Sequence, residues 1–108
     1  MVHLIEESQI AEEIVRNSTK LMLLNIYADW CLPCEVLTPI LVELDKKYKD
    51  VEIYKVNSDE AVNFSTLNNV TSIPTIIFYK DGEEKERIVG VESIDKLSRV
   101  IDDYIIIN

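Results

Sequence analysis

Two thiols stand three residues apart in ADWCLPC, residues 28 to 34, and they are the only cysteines in a chain of 108 residues. The only tryptophan, Trp30, comes directly before the first of them. Two buried core thiols would need no special spacing. A structural zinc ion needs three or four protein ligands, and the single histidine, His3, lies at the far end of the chain. A redox dithiol needs both sulfurs on one helix face, and residues i and i+3 share such a face. At the first turn of a helix, unpaired backbone N–H groups and the macrodipole stabilise a thiolate, the reactive form of cysteine. Cys31 and Cys34 sit where an apolar run gives way to a helical pattern. Spacing and position together favour the redox reading over the structural one and over zinc.

The surrounding elements follow from periodicity. LMLLNIYA, residues 21 to 28, is a near-continuous apolar run of strand length, the kind buried on both faces of a sheet. After it, Val36, Leu37, Ile40, Leu41, Leu44 and Tyr48 recur at helical spacing among charges, with Pro39 inside the pattern. Upstream, VHLI reads as a short strand, and Ile10, Ile14 and Val15 mark a helix over residues 9 to 17. Downstream, VEIYKVN alternates as a strand, and a helix is predicted from Asp59, as N-cap, to Leu67. TIIFYK and KERIVG flank the dipeptide DG, a hairpin signal. Ser93 caps a last helix with Ile94, Leu97, Val100, Ile101 and Tyr104 toward the core, and the apolar end YIIIN extends it. The order β-α-β-α-β-α-β-β-α predicts an α/β fold, a mixed five-stranded sheet with helices on both faces. The site is expected beyond the carboxyl end of the second strand, where the chain enters its helix.

A chain of this length makes one domain, residues 1 to 108. Its 47% apolar content suits a globular core, and its net charge of −9 argues against nucleic acid and anionic membrane surfaces as partners. That charge favours neutral or basic partners. The start, MVHLIEESQI, carries no visible signal peptide, and no run approaches a membrane span, so cytoplasmic residence is expected.

ADWCLPC resembles the Trp-Cys-Gly-Pro-Cys site of the thioredoxin family, at the same strand-to-helix junction. The resemblance extends over nearly the whole chain: Pro39 matches the family's helix proline, SIPT the segment carrying its cis-proline (here Pro74), and Lys55, Gly82 and Gly90 fall where the family has them. It implies the thioredoxin fold and a thiol–disulfide oxidoreductase that reduces protein disulfides without a bound cofactor. Cys31 would attack the substrate disulfide, Cys34 would resolve the mixed disulfide, and the two would form a disulfide when oxidised. Pro33 would hold the turn between them. Trp30, Leu32, Ser72, Ile73, Pro74, Gly90 and Val91 would dock the substrate. A separate reductase would supply electrons to a monomer poised near the family value of about −270 mV. The alternatives are a binding or chaperone-like module of the same fold with slow redox turnover, and an oxidant or isomerase.

The match has departures. Asn25 stands where the family has a buried Asp that assists proton transfer at the second cysteine, and Asn cannot titrate. Glu35 and Lys55 are the candidate substitutes. Leu32 replaces the family's Gly and adds an apolar group to the docking face. Glu35 follows Cys34 where Lys is common, and its charge would oppose thiolate formation. Tyr27 replaces a common Trp.

Overall fold

The computed structural model describes residues 1–105. Five strands form one sheet: β1 (Val2–Leu4), β2 (Leu21–Tyr27), β3 (Val51–Asn57), β4 (Thr75–Lys80) and β5 (Glu83–Val89). Four α-helices accompany them: α1 (Ile10–Arg16), α2 (Leu32–Lys47), α3 (Val62–Leu67) and α4 (Ile94–Ile105). The strand order is β1-β3-β2-β4-β5, with β1, β3 and β2 parallel and β4 antiparallel to both of its neighbours. The expected mixed sheet is therefore the observed one.

The sheet is covered on both faces, which is why β2 reads as a near-continuous apolar run. Leu21 and Leu23 point to the face packed by Leu37, Leu41 and Leu44 of α2 and by Leu97 and Ile101 of α4. Met22, Leu24 and Ile26 point to the opposite face, against Ile10 of α1 and Phe64 of α3. Asn25 shares the parity of Leu23 and so belongs to the α2 face. In the sheet it lies between Lys55 of β3 and Ile76 of β4. The DG hairpin turns on two residues of positive φ, Asp81 at 57° and Gly82 at 78°. This double left-handed turn matches the twist of the flanking strands.

Several local expectations are corrected. Asp59 is not a helix cap. It lies inside a 3-10 turn, Ser58–Glu60, whose N-cap is Asn57, and the Asn57 side chain accepts the Asp59 N–H at 2.9 Å. The α-helix starts three residues later, at Val62. Val15 and Val36 are exposed rather than core-facing; each sits one position off the stripe that the sheet covers. The first helix is likewise shorter than residues 9 to 17, because a 3-10 turn with a Glu6/Gln9 capping box precedes it. Ser93 does cap α4, its Oγ accepting the Lys96 N–H at 3.1 Å. Of the apolar end YIIIN, Tyr104 and Ile105 complete α4, and residues 106–108 lie outside the described residues.

Candidate active site

Cys31 is the N-cap of α2, in extended conformation, and Leu32 and Pro33 open the first turn. Proline is suited there because its missing N–H would have no partner in the helix. Cys31 and Cys34 form a disulfide with their Cα atoms 5.3 Å apart. The Cys31 Sγ accepts the Cys34 backbone N–H at 3.2 Å. A sulfur in that position also faces the positive end of a 16-residue helix. The Cys34 carbonyl accepts from the Thr38 hydroxyl at 3.1 Å. In this oxidised form the two cysteines are almost equally buried, at 5% and 4% exposure. Exposure therefore does not rank them; the helix N-terminus does.

Two depressions flank the dithiol. The first, a cleft of about 410 Å³, brings together Asn25, Lys55, Cys34, Glu35, Asp29 and Tyr27. Asn25 is 3% exposed, and its Oδ1 is buried with no hydrogen-bond partner among the described residues. The Lys55 ammonium stands 5.3 Å from the centre of the Tyr27 ring. Burial, with the Asp29 and Glu60 charges adding to it, pushes the Tyr27 phenol above its ordinary value and keeps it protonated. Among the described residues, Lys55 is the one cation lining either depression, while Asp29 and Glu35 contribute carboxylates to the cleft.

The second, a shallower groove of about 270 Å³, is lined by Trp30, Ser72 and Ile73 together with Val62 and Ser65. Trp30 and Leu32 are each 70% exposed. The Trp30 Nε1–H donates to the Asp59 carboxylate at 2.8 Å, so the indole is held in place although it is open to solvent. Ile73–Pro74 is a cis peptide bond. The Pro74 carbonyl accepts the Gly90 N–H at 2.8 Å, and Gly90 takes a φ of 90°. Val91 packs partly against the core under α4 and does not line the groove. The residues named from sequence thus separate into a cleft side (Asn25, Lys55), the dithiol turn (Cys31, Pro33, Cys34), and a rim or groove side (Trp30, Leu32, Ser72, Ile73).

Three groups at the site escaped sequence reasoning. Asp59 orients Trp30 from 29 residues away, Asp29 accepts from the Asn57 side chain at 3.4 Å, and Thr38 holds the Cys34 carbonyl. Only the Thr38 contact has a local sequence signal, a hydroxyl four residues along a helix.

A thioredoxin family model matches residues 2–103. The thioredoxin of Chlamydia trachomatis serovar D is 36% identical over 104 residues, covering 96% of this chain and 99% of that protein. The chloroplastic M-type thioredoxin of Spinacia oleracea is 38% identical over 95 residues, covering 87% of this chain and 52% of that protein. The chain thus spans about half the length of the chloroplastic relative. Among solved structures, Fasciola hepatica thioredoxin superposes with a TM-score of 0.86 at 31% identity, covering 96% of this chain and 99% of the other. Chlamydomonas reinhardtii thioredoxin f2 superposes with a TM-score of 0.90 at 23% identity over 97% of each chain, a likeness of fold.

Proposed function

The chain belongs to the thioredoxin family, and from that premise we propose that it is a thiol–disulfide oxidoreductase that reduces protein disulfides through Cys31 and Cys34. The observation that carries this reading is the Cys31 sulfur at the N-cap of α2, accepting a backbone N–H. Both the hydrogen bond and the helix end favour a negative sulfur.

The Cys31 thiolate attacks one sulfur of a substrate disulfide. A new S–S bond joins Cys31 to the substrate, and the second substrate sulfur leaves as a thiolate. The Cys34 thiolate then attacks the Cys31 sulfur. The mixed disulfide breaks, the Cys31–Cys34 disulfide forms, and the substrate leaves with two electrons gained. A separate reductase returns two electrons to the pair. No cofactor takes part in the exchange.

The exposed Trp30 and Leu32, with Ser72 and Ile73 across the groove, give an apolar rim against which an extended substrate segment docks. Gly90 is tied to the groove's edge through its hydrogen bond to the Pro74 carbonyl, and Val91 follows it in the chain. Pro33 keeps the turn between the thiols rigid. The net charge of −9 favours neutral or basic partners. The chain works as a monomeric domain, and a reducing compartment, the cytoplasm, is where such a dithiol is kept ready.

Insulin reduction driven by dithiothreitol tests the activity. Cys31→Ser is expected to abolish it, and Cys34→Ser to accumulate a mixed disulfide visible on a non-reducing gel. Limiting alkylation of the reduced protein should label Cys31 first. Undiminished turnover in either single variant would remove the dithiol mechanism, and first labelling at Cys34 would reverse the two roles.

A further inference from the structure

In a regular strand, residues three apart point to opposite faces. Glu84 and Arg87 of β5 share a face, because the strand carries one extra residue between them. Glu84 pairs with Tyr79 and Glu86 with Phe78, so Lys85 is bulged out of the ladder. The bulge sets Glu84 opposite Tyr79 and Arg87 opposite Ile77, both on the face that packs against Phe64 of α3. There the Glu84 carboxylate grips the guanidinium along one edge, Nε donating to Oε2 at 2.8 Å and Nη2 to Oε1 at 2.7 Å. This is the bidentate geometry that fixes an arginine side chain in place. Nη1 is left for a second partner. It donates to the Asn68 carbonyl at 2.8 Å and to the Asn69 carbonyl at 3.3 Å.

Those carbonyls sit where α3 ends. Asn69 takes a φ of 55°. Its N–H donates to the Thr66 carbonyl at 3.3 Å and the Val70 N–H to the Ser65 carbonyl at 2.8 Å, the two bonds of a Schellman turn. The chain leaves that turn directly into Val70, Thr71, Ser72 and Ile73, which line the groove beside Trp30. Arg87 is not among the described residues that line it, so it acts through the chain it holds.

We propose that Arg87 is a positioning residue for protein substrates: gripped by Glu84, it fixes the end of α3 so that residues 70–73 stand ready for an extended substrate segment. The inference rests on the docking reading above and adds what keeps the groove in shape. A lysine could not replace it, because only the planar guanidinium offers one edge to a carboxylate and a further nitrogen to the carbonyls. The dithiol is set on α2, a separate element. Loss of the clamp therefore acts on docking and leaves the exchange step intact.

Arg87→Met keeps a long apolar stem and removes every donor. Stopped-flow Trp30 fluorescence gives the second-order rate constant for oxidation of the reduced protein by insulin and by hydroxyethyl disulfide, which has no peptide segment to dock. The insulin constant is expected to fall about three- to tenfold, as when the binding-competent groove drops to between about a third and a tenth of the population. The hydroxyethyl disulfide constant is expected to stay at the wild-type value. Two unchanged constants would overturn the proposal, and so would an equal fall in both, the mark of a general disturbance of the fold. Ile73→Ala, in the groove itself, separates the two readings. An unchanged insulin constant there overturns the docking reading, whereas a fall there with none in Arg87→Met overturns the clamp alone. If Arg87→Met does not fold, Glu84→Ala decides. It frees the guanidinium and should give the same split between the two disulfides, with faster amide hydrogen exchange at residues 70–73 than in the wild type. Wild-type exchange rates at those amides refute the clamp.

Discussion

Asn25→Asp would put a carboxyl group at a position 3% exposed, between an apolar neighbour on β4 and Lys55 on β3. Full burial raises a carboxyl pKa by about 3–5 units, and a nearby cation lowers it by about 1–3. With Lys55 lining the same cleft, the net is a rise of about 2–3 units from the reference value of about 3.9. The sign follows from proton counting. Between about pH 4 and pH 7 the native variant holds a proton that the unfolded chain has released, so its stability falls as pH rises. The loss is nearly absent below about pH 4 and complete above about pH 7. At about 1.36 kcal/mol per unit it amounts to about 3–4 kcal/mol, a large part of the 5–15 kcal/mol typical of a domain. The same carboxylate would take the proton from Cys34. A thiol at the reference pKa of about 8.5 is about 3% ionised at pH 7, so complete deprotonation caps the gain at about 30-fold. Resolution of the mixed disulfide by Cys34 is therefore expected to quicken several-fold at pH 7. Urea denaturation at pH 4 and pH 8 measures the first effect, and stopped-flow Trp30 fluorescence during single-turnover reduction measures the second. A stability difference that is the same at both pH values would refute the burial argument. An unchanged rate across pH 6 to 9 would show that another group, such as Glu35, already moves the proton.

Two further outcomes follow from groups away from the dithiol. Burial, then the Glu84 charge, with Arg87 opposing, pushes the Tyr79 phenol up to about 12; its contribution to stability is full below about pH 10 and is lost between about pH 10 and pH 12, by about 3 kcal/mol. Alkaline unfolding curves should therefore be flatter in that window for Tyr79→Phe, and parallel curves would contradict the shift. On the opposite face of the sheet from the cleft, the Tyr54 hydroxyl donates to the buried Glu13 carboxylate at 2.9 Å and accepts from the Asn17 side chain at 3.1 Å. Tyr54→Phe should cost about 1.5–3 kcal/mol in urea denaturation, the range for a hydrogen bond to a charged group, and a cost under about 0.5 kcal/mol would mean that water replaces the hydroxyl.

What the sequence by itself determined was the part of the protein governed by local rules. Periods of two and of 3.6 mark which residues can face a common core, so the order of strands and helices, the DG hairpin and the Ser93 cap were all legible. The dithiol was legible for the same reason, because three residues of helix put both thiols on one face whatever the rest of the chain does. Tertiary structure alone decided the contacts between segments far apart in sequence. Asp59 looks like a helix cap in isolation, yet packing turns its carboxylate toward Trp30, and Asn57 takes over the cap. Val15 and Val36 fit an apolar stripe on paper, but the sheet covers only the neighbouring positions. The setting of Asn25 was of this kind too. An Asn in an apolar strand announces a polar group in the interior, but not its neighbours. Those come from the strand register that sets Lys55 beside it and from the crossing of α2 that brings Cys34 to the same cleft. Register and crossing are settled by the burial of both sheet faces at once, a sum over many residues that no short stretch of chain contains.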